Sequence, residues 1–196
     1  DIVAVGAWRA VGQGDRVGGW VFDDTTWTER RPHRSRQSVL RLLQEVMTRG
    51  HALEAGRAIH GAGQLNTVLE QVRRRSYHDH VVVVVSDFDG ADAQTRRLLL
   101  LLREHNDVVA IPVIDQSRTC VPEHGRLVVT NGALQVELDL GDRRVREGIA
   151  SMGERHLDLV RSWEREIRVP VLPVLTADDP VRQIRRLLGA RQTRSR

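Results

Sequence analysis

The sequence predicts one α/β domain on a mostly parallel, Rossmann-type sheet, with helices on both faces and a short β-hairpin insertion. Three observations carry that prediction. The runs Val81–Val85, Val108–Ile114 and Val169–Leu175 are apolar without alternation, segments of helical period separate them, and no repeat or linker divides the chain. Strands buried on both faces need no polar alternation, and parallel strands need crossover helices between them. The domain is expected over residues 1–190, with 191–196 a disordered tail.

Residues Ile2–Val11 read as a helix stopped by Gly12 and Gly14, followed by a strand at Val17–Phe22. Asp23-Asp24 turns this strand into a second short one around Thr26–Glu29, and RRPHRSR reads as a loop. From Ser35, a plausible N-cap, Val39, Leu40, Leu42, Leu43, Val46 and Met47 repeat at helical spacing as far as Gly50. After the glycine-rich stretch Gly56–Gly63, Leu65, Val68, Leu69 and Val72 give a second amphipathic helix. A helix from about Asp92 to His105 separates the first two apolar strands, and GRLVVTNGALQVEL reads as a hairpin turning at Asn131-Gly132. A long helix follows from about Arg143 to Ile167, with the stripe Val145, Ile149, Met152, His156, Val160, Trp163 and Ile167. Asp179 caps the last helix, and Pro180 sits in its first turn, where a missing N–H costs nothing.

Composition narrows the partners. All 30 basic residues are arginine, the net charge is +4, and the arginines are interleaved with acids, as in Arg161–Glu166. A nucleic-acid surface would cluster them with aromatic side chains, so no nucleic-acid partner is expected. No apolar run approaches the roughly 18 residues of a membrane helix. Cys120 is the sole cysteine, which excludes an intrachain disulfide and fits a reducing cytoplasm. P-loop, GxGxxG-after-strand and GxSxG sequences are absent. Trp8, Trp20, Trp27 and Trp163 fit either core or interface anchors.

In parallel sheets ligands bind at the carboxyl ends of the strands, which directs attention to Ser86–Gly90, Asp115–Thr119 and Thr176–Asp179. The first of these, in VVVVVSDFDGAD, places Asp87 at a strand end with Asp89 and Asp92 behind it. Hard cations such as Mg²⁺ take one or two carboxylates in such a setting. The simpler reading makes Asp89 a helix cap and Asp87 a hydrogen-bonded strand end.

Several segments in order resemble one family. GDRVGGWVF with the helix SVLRLLQEV, the strand and loop VVVVVSDFDG, HNDVVAIPVID and the ending VLPVLTADDPVRQIRRLLG are similar to the MoxR-associated von Willebrand factor A-like proteins. The resemblance implies a vWA-like sheet and an interaction module serving a MoxR-type AAA+ ATPase in the assembly or maturation of client proteins. It also implies a partner face at Ser86, Asp87 and Asp89. The metal-dependent adhesion site of vWA domains uses a DxSxS loop after the first strand, a threonine on a second loop and an aspartate after the fourth strand. Only the aspartate maps directly, onto Asp87. Gly63 stands where the threonine belongs, with Gln64, Asn66 or Thr67 as imperfect substitutes, so the Mg²⁺ or other divalent site is expected to be incomplete. The DxSxS strand would lie before Asp1, and the start of the chain is expected to be internal.

Two further patterns compete for attention. Asp115-Gln116-Ser117-Arg118-Thr119 spells DxSxT but follows the wrong strand, and a local turn accounts for it. His78-Asp79-His80 would place two imidazoles on one side of a strand as a zinc pair, though no further ligand lies at helpful spacing. As an enzymatic alternative, the apolar run and DxDG loop resemble the first motif of haloacid-dehalogenase-type Mg-dependent phosphatases. That resemblance makes Asp87 the nucleophile, Asp89 the general acid/base and Asp178-Asp179 distal metal ligands. The lysine that usually holds the phosphoryl group is missing.

Overall fold

The computed structural model describes residues 1–52, 63–76, 78–115, 124–130 and 135–192. Its elements in chain order are α1 (Ile2–Gly12), β1 (Val17–Phe22), β2 (Trp27–His33), α2 (Arg36–His51), α3 (Gly63–Arg75), β3 (Val81–Ser86) and α4 (Ala93–Arg103). They continue with β4 (Asp107–Ile114), β5 (Arg126–Thr130), β6 (Gln135–Asp139), α5 (Arg143–Glu166), β7 (Val174–Leu175) and α6 (Pro180–Gln192).

The central sheet is parallel, in the order β3-β4-β7, with Val81 opposite Asp107 and Ser86 opposite Pro112. The strands divide their side chains between two faces, as the period of two requires. Val84, Val108 and Ala110 join the core made with Leu69 of α3, Leu99 of α4 and Trp163 of α5. Ile111 and Val174 form a smaller cluster against Ile2 of α1 and Ile184 of α6, with Val85 and Val109 beside it. Helices therefore cover both faces, and the fold is the Rossmann-like α/β arrangement expected. The hairpin is present as the antiparallel pair β5–β6, with Thr130 opposite Gln135. Its expected turn at Asn131-Gly132 lies outside the described residues, as do positions 56–62 of the glycine-rich stretch, Gln116–Thr119 and Cys120.

A second antiparallel pair, β1–β2, stands apart from the central sheet. Its turn is held by Asp23, whose Oδ1 accepts from the backbone N–H groups of Thr25 and Thr26, both at 2.8 Å. Gly18 is obligatory here, because a Cβ would lie 2.5 Å from the Arg30 carbonyl oxygen at the register shift in this ladder. Arg49 of α2 pins the hairpin, donating to Asp23 Oδ2 at 2.6 Å, Thr28 Oγ1 at 2.7 Å and Glu45 Oε1 at 3.2 Å.

Four boundaries depart from expectation. β2 runs through Arg30–His33, where a loop was expected, because an edge strand tolerates Pro32. The last apolar strand is paired over only Val174–Leu175, with one isolated bridge at Val171–Ala110. Pro112 and Pro173, lacking N–H donors, separate those two contacts. The stripe on α5 is buried only in its C-terminal half: Val160 and Trp163 are fully enclosed, whereas Met152 is 67% exposed. Finally, α6 continues through Gln192, two residues into the expected tail.

Candidate functional site

Asp87 leaves the end of β3 exposed, on a turn whose geometry is closely determined. Ser86 Oγ accepts from the Phe88 N–H at 3.0 Å, Asp87 Oδ1 accepts from the Asp89 N–H at 3.0 Å, and the Ala91 N–H donates to the Phe88 carbonyl at 2.9 Å. Such side chain-to-backbone bonds are the usual means by which serine and aspartate fix a turn. Phe88 is the anchor. It adopts φ 56°, a left-handed backbone that a bulky L-residue rarely takes, and it is completely buried. Its ring meets Trp163 of α5 edge to face, with centroids 5.3 Å apart and planes at 76°. The strained residue thus drives its ring into the core while its neighbour Asp87 is turned out.

His156 supplies a second fixing point. Its Nε2 lies 2.8 Å from the Asp87 carbonyl oxygen, and because a carbonyl only accepts, that nitrogen carries the proton. Sequence periodicity placed His156 on the half-buried edge of α5 but gave no sign that it reaches the β3 turn, since the two residues are 69 apart in sequence.

The next turn is locked by Asp92 rather than Asp89. Asp92 is the N-cap of α4: its Oδ1 accepts from the Thr95 N–H at 2.9 Å, and the Thr95 hydroxyl accepts from the Asp92 N–H at 3.1 Å. The Thr95 N–H bond and the Asn66 amide hold the Asp92 carboxyl below the usual carboxylate range. Asn66 donates to Asp92 Oδ1 at 3.1 Å and accepts from the buried Thr95 hydroxyl at 2.7 Å. Its amide therefore joins α3 to α4. Thr67 is exposed on α3.

What the fold does bring together is a second set of oxygens. Ser86, Asp87, Asp115 and Thr176, with Val113, line a cavity of about 340 Å³ at the carboxyl ends of β3, β4 and β7. All three segments singled out by the strand-end rule meet there. Carboxylates and hydroxyls are hard donors suited to Mg²⁺. Among the described residues, however, no three His, Cys, Asp or Glu side chains gather as a metal-holding group. The donor set fits a hard cation only in part.

The remaining candidates occupy other places. Asp178 and Asp179 do not line this cavity; Asp179 Oδ1 accepts from the N–H groups of Val181 and Arg182, at 2.8 and 3.0 Å, as the expected cap of α6. His78 and His80 precede β3 rather than alternating along it. His78 Nδ1 contacts Asp79 Oδ2 at 2.7 Å, and His80 Nδ1 lies 2.6 Å from the His78 carbonyl, so the strand spacing behind a zinc pair does not exist. No helix among the described residues is long and apolar enough to cross a membrane.

No curated protein and no solved structure matches the chain. One family model does, over residues 1–158, and the chain belongs to that family, described as protein of unknown function DUF58.

Proposed function

We propose that this domain is a non-catalytic interaction module that works with a MoxR-type AAA+ ATPase in the assembly or maturation of client proteins. Its contact face is the strand-end rim at Ser86, Asp87 and Asp89. The observation that carries this reading is the construction of the Asp87 turn. A buried phenylalanine, a histidine from a distant helix and an Asx-type turn hold one exposed carboxylate at a fixed place. Loops held so firmly at the ends of parallel strands serve recognition. The order of motifs along the chain, similar to that of the MoxR-associated vWA-like proteins, is what suggests a MoxR-type ATPase as the partner.

A divalent cation, Mg²⁺ first, belongs to the same proposal. Asp87 and Asp115 with the hydroxyls of Ser86 and Thr176 supply part of an oxygen shell, and a partner carboxylate completes it. Titration calorimetry of the ATPase into the full-length protein tests the reading. Binding that needs Mg²⁺ and is weakened about tenfold or more by Asp87→Asn, roughly 1.4 kcal/mol, is the expected result. Equal affinity of the wild type and Asp87→Asn would remove Asp87 from the contact face.

A further inference from the structure

We propose that the outer surface of α1 and α2, with α6 beside it, docks peripherally on a membrane carrying anionic headgroups. The proposal is independent of the ATPase reading and uses none of the residues of the Asp87 turn.

The first observation is an apolar patch. Within α1, Arg9 is the only residue with a polar side chain. A helix apolar all round belongs in an interior, yet Ala7 is its only buried residue. Val5 and Trp8, three residues apart and so neighbours on one side of the helix, are exposed. α1 packs on α2, which leaves Leu40 56% exposed and Met47 62% exposed, two turns apart on one face. Single exposed apolar side chains are ordinary on a protein surface. Four large ones on two adjoining helices are of the kind that marks a docking surface.

The second observation is charge. α1 packs on α6 as well, where Ile2 and Ile184 share the cluster around Ile111, so the three helices form one layer. The interleaving of arginine with acid seen elsewhere in the chain fails in this layer. Glu45 is the only carboxylate side chain in the three helices, and Arg30 and Arg49 already hold it. By contrast, α5 alone carries five acids. Arg9, Arg36 and Arg41 are exposed, and among the described residues none of them forms an ion pair. Arg185 and Arg186 of α6 are exposed beside them.

An anionic lipid surface answers both observations. Tryptophan settles at the boundary between headgroups and acyl chains, and aliphatic side chains beside it enter the same boundary. Arginine lays its stem along apolar surface and keeps its guanidinium among phosphates. The cations are spread over a layer of helices rather than gathered at one point, which a plane of anionic headgroups matches and a short acidic segment does not. Nucleic acid fits less well, since it uses aromatic platforms for its bases, whereas the patch offers one aromatic ring among aliphatic side chains.

Vesicle flotation with the full-length protein tests this. Binding is expected to vesicles of phosphatidylcholine with about 30% phosphatidylglycerol, and not to phosphatidylcholine alone. Arg9→Gln, Arg36→Gln and Arg41→Gln together should weaken it about 100-fold, at roughly fivefold per cation near a charged surface. The same charge change at exposed Arg97, Arg103 and Arg161, on α4 and α5, should weaken it by no more than about fivefold. All six arginines are exposed, so both variants should keep the wild-type circular dichroism spectrum. Trp8→Phe should still bind, but the quenching that brominated acyl chains produce in the wild type should be lost from it. Absence of binding to the anionic vesicles, or equal binding to neutral ones, overturns the proposal. So do equal losses from the two triple variants, unchanged quenching in Trp8→Phe, or arginine-dependent binding to an oligonucleotide without binding to vesicles.

Discussion

Replacing Phe88 by alanine is the sharpest perturbation of the candidate site, because the residue that anchors the Asp87 turn is also a core residue. Phe88 and Trp163 are both 0% exposed. Truncating a buried phenylalanine costs about 3–5 kcal/mol in lost transfer energy and residual cavity. The edge-to-face pair with Trp163 contributes about 0.5–1.5 kcal/mol beyond burial. Alanine keeps a Cβ and so keeps the cost of the left-handed backbone at φ 56°. A loss of about 4–6 kcal/mol is expected, against a total of about 5–15 kcal/mol for a typical domain. Phe88→Leu preserves most of the volume but not the ring contact, and about 1–2 kcal/mol is expected. Urea unfolding followed by circular dichroism measures both, with the midpoint shifting and the slope unchanged. A loss below about 1 kcal/mol for Phe88→Ala would refute the idea that the core holds this turn.

Other consequences follow from the same contacts. Arg49→Met should cost about 1–3 kcal/mol by leaving the half-buried Asp23 without its cation and Glu45 with Arg30 alone, read as a lowered unfolding midpoint. Stability should also fall on acidification. Burial disfavours the Asp23 carboxylate, but the Thr25 and Thr26 donors and Arg49 outweigh it and hold the carboxyl well below its usual range, while Arg30 chiefly lowers Glu45. Carboxyls depressed in the folded state contribute fully above their unfolded values, near 4. That contribution is lost as the pH drops below about 4 through the folded values, and Arg49→Met should flatten the dependence. His156→Ala removes one hydrogen bond to the Asp87 carbonyl, so exchange at the Ser86–Gly90 amides should rise about fivefold, roughly 1 kcal/mol, with Asp87 still exposed. With Mg²⁺ and a chromogenic phosphate ester, wild type and Asp87→Asn should give the same background rate; hydrolysis abolished by Asp87→Asn would favour the phosphatase chemistry.

Periodicity made the layers legible. The six helices among the described residues and the valine strand stand where the sequence put them, through apolar spacing in α2, α3 and α5 and through stops and caps at α1 and α6. The last strand was over-read, since proline carries no mark of how many ladder bonds it interrupts until its neighbours are known. The site was half legible. The strand-end rule found Ser86, Asp87, Asp115 and Thr176, but a letter pattern drew attention to Asp115 as the start of a false motif rather than as a neighbour of Asp87. Family spacing offered Gln64, Asn66 or Thr67 beside Asp87, and of these the Asn66 amide is hydrogen-bonded to Asp92 and Thr95, a link that spacing did not signal. His156 and the left-handed Phe88 were invisible because each depends on α5 docking against the β3 turn, a long-range contact that no local pattern encodes.

The measurement that bears most directly on the central claim is site-specific photocrosslinking between this protein and the MoxR-type ATPase. A photoreactive side chain placed at Asp89, on the rim, is expected to crosslink to the ATPase in the presence of ATP and Mg²⁺, while one at exposed Arg41 on α2 does not. Crosslinking from Arg41 with none from Asp89, or none from either site, would contradict a partner face at the Asp87 turn.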